Sequence, residues 1–223
     1  MSPGPLALIG GAEWQEGCSF DDRLLEAAQT EEIVVLPTAA AYEWPMRSVE
    51  AAERWFGSRN MNVRGLKVLQ RHDAADAGNV EAVRGAKFIY LSDGSPLHLK
   101  SVLKGTALWE ALVETWQDGA VVAGSSAGAM VLGDPMVDPR GGAFTLGLGL
   151  LPKVTVVPHW ERWTGDKARR MTQLAPADVV LAEIEERTAL IRWTDGSWEQ
   201  EGAGAVILTV GSQPISLEEL RTR

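Results

Sequence analysis

The segment Val121-Val122-Ala123-Gly124-Ser125-Ser126-Ala127-Gly128-Ala129-Met130 constrains the fold more than any other stretch of the chain. A short apolar run enters Gly-x-Ser-x-Gly, and small helix-compatible residues follow. Strand, tight turn and helix in that order form an elbow that lifts a serine hydroxyl above a sheet edge. Gly124 and Gly128 keep side chains out of the crossing of strand and helix. Ser126 is the candidate nucleophile, and the N–H of Ala127, at the helix start, can face an oxyanion. Small residues also cluster in ordinary tight turns; the apolar run directly before them favours the nucleophile.

The rest of the chain repeats the same alternation of apolar strand and amphipathic helix. Leu6–Ile9 ends at Gly10-Gly11, and a helix from about Asp21 to Gln29 follows, with Asp21 as its N-cap. Ile33–Leu36 ends at Pro37-Thr38, before a Trp- and Glu-rich helix from about Trp44 to Phe56. Gly65–Leu69 reads as a third strand and Phe88–Leu91 as a fourth, ending at Ser92-Asp93-Gly94. A helix from about Thr106 to Gln117 leads into the elbow, and Val154–Val157 ends at Pro158-His159. Each strand is continuously apolar, not alternating, as strands covered on both faces are. That pattern predicts an α/β three-layer sandwich around a mostly parallel central sheet. In the C-terminal third, Val179–Ile184, Ala189–Trp193, a turn at Asp195-Gly196 and Ala205–Val210 read as an antiparallel extension of the same sheet. No linker or repeat interrupts the chain, so residues 1–223 are expected to form one domain.

Composition narrows the class. The chain is 45% apolar and 23% charged, within the range of globular proteins, and no apolar run is long enough for a membrane span. The amino terminus has no basic region and too short an apolar stretch for a signal peptide, and Cys18 stands alone, so a cytoplasmic setting is expected. A net charge of −9 argues against nucleic acid and favours neutral or cationic ligands.

Chemistry in an open parallel sheet gathers beyond the carboxyl ends of its strands. Here those ends carry Gly10-Gly11, Thr38, Asp93-Gly94, Ser126 and His159. Of the three histidines, His72 follows a strand, His98 falls within a helical stretch, and His159 sits at a strand exit after Ser126. His159 is therefore the candidate general base. No His, Cys or carboxylate spacing matches a dedicated metal site, and Gly10-Gly11 lacks the rest of a dinucleotide fingerprint, so no metal and no cofactor are expected.

Together these pieces resemble the dipeptidase E and cyanophycinase family of serine peptidases, related in fold to class I glutamine amidotransferases. The resemblance rests on Leu8–Glu13, Pro37–Ala40, Tyr90–Gly94, Ala123–Ala129, Gly147–Pro152, Pro158–Trp160 and Glu185–Leu190, in the family's order over about residues 6–190. It implies a Ser–His–Glu triad of Ser126, His159 and Glu186, the acid holding the imidazolium and its tautomer. Glu185 is the rival acid, because a one-residue error exchanges strand faces, and Asp134 and Asp138 are further candidates. The family's Gly-Gly-Asp/Asn-Gln is here Asp93-Gly94-Ser95-Pro96. Gly94 survives as an oxyanion donor beside Ala127, while the loss of the Gln points away from cyanophycin.

The expected function is hydrolysis of small peptides, Asp-Xaa dipeptides foremost, through an acyl-enzyme. Trp160 and Trp163 are candidate pocket walls, and Arg162, Arg169 or Arg170 could bind a substrate carboxylate. The alternatives are a β-aspartyl peptidase of cyanophycinase type and a non-catalytic binding protein on the same fold. Neither a nucleic acid nor a membrane partner is expected, and a homodimer is left open.

Overall fold

The computed structural model describes residues 2–140 and 142–222. In chain order its elements are β1 (Leu6–Ile9), α1 (Phe20–Ala28), β2 (Glu32–Leu36), α2 (Pro45–Gly57), β3 (Asn62–Gly65), α3 (Ala77–Arg84), β4 (Phe88–Leu91), α4 (Pro96–Leu103) and α5 (Ala107–Gln117). Then come β5 (Val121–Ser125), α6 (Ala127–Leu132), β6 (Gly133–Asp134), β7 (Met136–Val137), β8 (Phe144–Thr145), β9 (Leu151–Pro152), β10 (Val154–Pro158) and α7 (Gly165–Leu174). The chain closes with β11 (Val180–Ile184), β12 (Thr188–Arg192), β13 (Trp198–Gly202), β14 (Val206–Val210), β15 (Gln213–Pro214) and α8 (Leu217–Arg221).

The main sheet runs β13-β12-β1-β5-β4-β2-β3. Its last five strands are parallel, whereas β12 pairs antiparallel with β1 and β13 antiparallel with β12. The continuous apolar runs follow from two cores. Ala7, Ile9, Ile33, Val35, Phe88 and Tyr90 face α1 and α2, where Phe20, Leu24 and Phe56 complete one cluster. Their neighbours Leu6, Leu8, Val34, Leu36, Ile89 and Leu91 face the other way, against Val83, Leu99, Leu112 and α6. Successive strand residues alternate between faces, and both faces are dry, so no polar alternation survives. Each fully buried large side chain contributes roughly 1.5–3 kcal/mol of transfer free energy.

The expected C-terminal extension is only partly present. β12 and β13 do extend the main sheet, but β10, β11 and β14 belong to a second one, ordered β15-β14-β11-β10-β6-β9. β10 and β11 pair in parallel, and β14 lies antiparallel to β11. An apolar run requires two covered faces but names no partner strand, which is why its pattern left the sheets merged. The short turn between β11 and β12 carries the chain from the second sheet to the first, with Arg187 left-handed at φ 56°. Helix α6 lies between the sheets, buried along its whole length.

Two local boundaries also differ. The third strand ends at Gly65, where Gly65–Leu69 was expected, because Leu69 and Gln70 turn their N–H groups onto Asp73. Helix α1 begins after Ser19, and Asp21 is no cap: it is buried inside the helix and accepts Trp55 Nε1–H at 2.9 Å. No helix among the described residues is long and apolar enough to cross a membrane.

Candidate active site

The turn from β5 into α6 forces Ser126 to φ 46°, ψ −104°, a backbone few non-glycine residues adopt. Its N–H donates to Ile9 O at 2.9 Å, and its carbonyl accepts Met130 N–H at 2.9 Å. The flanking glycines permit the bend. A Cβ on Gly124 would stand 2.5 Å from the Gly128 carbonyl carbon, and one on Gly128 would run into the Leu91 carbonyl. Ser126 is only 6% exposed, and its hydroxyl caps no helix N–H, so it remains directed at its neighbour.

That neighbour is His159. It follows β10 in a left-handed conformation, φ 51°, and donates its N–H to Gly10 O at 2.8 Å. The ring lies against Gly11, where any Cβ would overlap it; a Cβ on Gly10 would meet the Glu185 carbonyl. Gly10-Gly11, which in the sequence reads as half a phosphate loop, is the space that the imidazole and the β11–β12 turn require. His159 Nε2 is 2.9 Å from Ser126 Oγ and Nδ1 is 2.7 Å from Glu186 Oε1. An ionised carboxylate only accepts, so Nδ1 carries the proton and Nε2 is free to accept from the serine.

The two adjacent glutamates part company at the turn. Glu186 Oε1 takes His159 and also lies 2.6 Å from an Arg162 guanidinium nitrogen, while the Glu186 N–H donates to Glu161 Oε2 at 3.2 Å. Glu185 faces the other way and accepts Ala205 N–H at 2.8 Å. Asp134 accepts Gly147 N–H, and Asp138 is clamped by Arg140, which lowers its pKa to about 2. Neither is joined to the histidine.

His159, Glu161 and Glu186 bring donor atoms within 4.8 Å of one another, a grouping that no sequence spacing announced. The donors are already engaged, however: Nδ1 bonds Glu186, and Arg162 lies on the same carboxylate. The arrangement fits an ion-paired imidazole better than a cation site.

A cleft of about 290 Å³ opens at Ser126 and His159, lined also by Gly94, Pro96, Met130, Arg162, Trp163 and Lys167. Of the expected substrate residues, Arg162 reaches it but is bound to Glu186. Trp160 stacks on Trp163 at 5.9 Å without lining the cleft. Arg169, 70% exposed, pairs with Asp166 at 2.7 Å and lies outside it. Lys167, missed by sequence reasoning, does line the cleft, with Nζ 4.1 Å from the Trp163 ring. Trp163 is extended and precedes α7 while Lys167 lies in its first turn, so no helical spacing announced the contact. A larger cavity, about 500 Å³, lies at the amino ends of β10 and β11 near Arg192 and Trp198, and none of the candidate residues reaches it.

The loop after β4 explains the departure at residues 93–96. Ser95 caps α4 by accepting His98 N–H, and Pro96 occupies the first helical position, where its missing N–H costs nothing. Gly94, at φ 142°, donates its N–H to Asp93 Oδ1 at 2.6 Å. The Asp93 N–H donates to Glu13 Oε1, and Ser125 Oγ–H to Glu13 Oε2. Burial foremost, then the Asp93 charge, raises the Glu13 pKa. Ala127 is the first residue of α6, so its N–H has no intrahelical acceptor.

The chain is similar to several known proteins. The chain is 29% identical over 164 residues to a cyanophycinase of Thermosynechococcus vestitus, covering 67% of this chain and 51% of the relative. It is 30% identical over 158 residues to one of Trichormus variabilis, covering 64% and 51%. The chain thus spans about half the length of the curated relatives it matches. A peptidase from an acI-B1 Actinobacterium superposes with a TM-score of 0.85 at 30% identity, over 96% of this chain and 97% of that one. A candidate peptidase E protein from Listeria monocytogenes shares the fold, with a TM-score of 0.67 at 18% identity, over 94% and 99%. The model of peptidase family S51 matches residues 6–197, and the chain belongs to that family.

Proposed function

We propose that the chain is a serine peptidase that cleaves small peptides, Asp-Xaa dipeptides foremost, with Ser126 as nucleophile, His159 as base and Glu186 as its orienting acid. The observation that carries this reading is the unbroken hydrogen-bond chain Ser126 Oγ, His159 Nε2, His159 Nδ1, Glu186 Oε1 beside a cleft. Ser126 Oγ bonds to the peptide carbonyl carbon as its proton passes to Nε2, and the carbonyl electron pair moves onto oxygen. The Ala127 and Gly94 N–H groups receive that oxyanion. Collapse expels the amine, which takes the proton from Nε2 and leaves an acyl-serine. Water then repeats the sequence: it gives a proton to Nε2, its oxygen bonds to the acyl carbon, and Oγ leaves with the proton restored. Glu186 stays ionised and balances the imidazolium.

Ser126 comes from the main sheet and His159 from the second, so we read both sheets as one catalytic domain. The cyanophycinase relatives favour a second reading, hydrolysis of β-aspartyl bonds. Mass-spectrometric profiling of an α-dipeptide library beside β-Asp-Arg, with Ser126→Ala as control, separates the two. Release of products from Asp-Xaa by the wild type alone supports the first reading; turnover of β-Asp-Arg alone replaces it with the second.

A further inference from the structure

The loop after β4 places a carboxylate where the proposed reaction needs an open donor. Gly94 N–H, one of the two oxyanion donors, is already donated to Asp93 Oδ1 at 2.6 Å. The other oxygen, Oδ2, is 3.9 Å from His159 Nε2, the atom that faces Ser126 Oγ. Asp93 therefore stands within reach of the reacting atoms, and its side chain is 43% exposed and open to an incoming molecule. Among the described residues no lysine or arginine pairs with it; His159 is the one basic group within ion-pair distance. Behind it lies Glu13, bonded to the Asp93 N–H and itself pushed toward protonation by burial and by the Asp93 charge. Two carboxylates thus stand behind the Gly94 donor, one buried and one half-exposed beside His159, with no lysine or arginine among the described residues on the latter.

Two anions cannot share the Gly94 N–H. A substrate whose oxyanion is to form there must first draw the Asp93 carboxylate away, and only a positive charge offers it a better partner. In a peptide cleaved after its first residue, the α-ammonium sits on the carbon next to the scissile carbonyl. Ser126 Oγ and Asp93 Oδ2 lie 2.9 and 3.9 Å from the same nitrogen, His159 Nε2, so a carbonyl over Oγ brings the ammonium one carbon away within reach of Asp93. An acylated amino terminus carries no such charge and leaves the carboxylate on its donor.

We propose that Asp93 is a substrate-operated gate and specificity residue: it occupies the Gly94 donor at rest and is withdrawn by the free α-ammonium of the residue whose carbonyl is attacked. The inference rests on Ser126 being the nucleophile and adds the residue that would read the free amino terminus of such a peptide. It assigns the Asp93 charge, 3.9 Å from His159 Nε2, to recognition, at a position where the family pattern has glycine.

The test pairs two readouts on the full chain. The first is the kcat/KM ratio for aspartyl p-nitroanilide against its N-acetyl derivative. The second is the rate at which an uncharged fluorophosphonate labels Ser126, which needs no knowledge of the peptide. Loss of one charge-assisted contact is expected to lower the free-to-acetylated ratio by roughly 10- to 100-fold in Asp93→Ala. The same variant should be labelled faster, because the Gly94 donor stands open. Asp93→Asn, which keeps the shape and loses the charge, should move both readouts in the same direction and serves if the alanine variant does not fold. An unchanged ratio with unchanged labelling in either folded variant overturns the gate while leaving the nucleophile in place. Absence of labelling in wild type and variants alike overturns the serine reading and the gate with it. Should neither anilide be turned over, the labelling rates decide alone: faster in the variants supports the gate, equal overturns it.

Discussion

The exits of β5 and β4 lie side by side in one sheet, yet they are built on different principles. After β5, Ser126 is fixed by backbone: a strained turn, two glycines without room for a Cβ, and an N–H tied to Ile9. After β4, Asp93 is fixed by side-chain and backbone polar contacts, Gly94 N–H and Glu13, and remains 43% exposed. Steric positions tolerate almost no substitution and so carry the motif. Electrostatic positions can be rebuilt around a new charge, and the proposed role of Asp93 is of that kind. The contrast teaches that the reaction machinery and its selectivity can be separated by mutation.

The largest effect belongs to the steric side. Ser126→Ala should lower turnover by about 10⁴-fold or more with an unchanged thermal midpoint, because one hydroxyl is lost from a turn whose backbone stays the same. Ser125→Ala should behave in the opposite way. Ser125 Oγ–H bonds Glu13 Oε2 at 2.7 Å, so its loss leaves a buried acceptor unsatisfied and costs about 1–3 kcal/mol of stability. Turnover after Ser125→Ala should stay within a few-fold of wild type. Reversal of the two phenotypes would place the nucleophile one residue early.

Next comes the pair of adjacent glutamates. Glu186→Gln should lower kcat by roughly 10²- to 10⁴-fold, since a neutral amide neither balances the imidazolium nor enforces its tautomer. Glu185→Gln removes a charge but keeps an oxygen that can accept Ala205 N–H, and should leave kcat nearly unchanged. Steady-state kinetics on one peptide decides the matter, and a more damaging Glu185 change would reassign the acid.

Stability sharpens the same comparison. Gly128→Ala drives a methyl into the Leu91 carbonyl and should cost about 1–3 kcal/mol in urea unfolding. Gly57→Ala, at the end of α2 with nothing within 4 Å, should be neutral or slightly stabilising. Buried charge gives a pH signature. Asp21 has its pKa raised to about 8 by burial, against which the Trp55 hydrogen bond works. The folded state holds that proton longer than the unfolded chain, so its contribution is complete below the ordinary carboxylate range and declines as pH rises toward 8. Glu183, raised to about 7 by burial, adds in the same direction. Chemical unfolding across pH 5 to 8 should show falling stability in the wild type and a flatter profile in Asp21→Asn; equal slopes would remove Asp21 as the cause.

What the sequence disclosed follows the same division. The inner strands of the main sheet, β1, β2, β4 and β5, were legible because each is apolar on both faces, whereas the polar edge strand β3 lies earlier in the chain than expected. Ser126 and His159 could be named from the bend and the strand exit, whereas Glu186 came from the family resemblance alone, with Glu185 left open because adjacent residues exchange faces. The second sheet was not legible, since the runs at Val154, Val180 and Val206 do not encode which strand they pair with. Nor was the use of Gly10-Gly11, whose Cβ atoms are excluded by a histidine and a carbonyl more than 140 residues away in the chain. Exposed charges were the least readable. Arg162 and Arg169 looked equally suited to a substrate carboxylate, but one is bound by Glu186 and the other by Asp166. Local pairing on a solvated helix depends on side-chain geometry that spacing alone does not fix.

The smallest effect tests that last point. Lys167 lines the cleft, rests its ammonium on Trp163, and has no acidic partner among the described residues. It is the cation available to a substrate carboxylate, whereas Arg169 is already paired and outside the cleft. An exposed ion pair contributes about 0.2–1 kcal/mol, so Lys167→Ala should raise KM only a few-fold, with kcat nearly constant. The increase should shrink as salt is added, because screening weakens the wild-type contact. Arg169→Ala should leave KM unchanged at every salt concentration. A larger, salt-sensitive rise in KM for Arg169→Ala than for Lys167→Ala would show that substrate rearranges α7 on binding, and the wall of the cleft would have to be redrawn around Arg169.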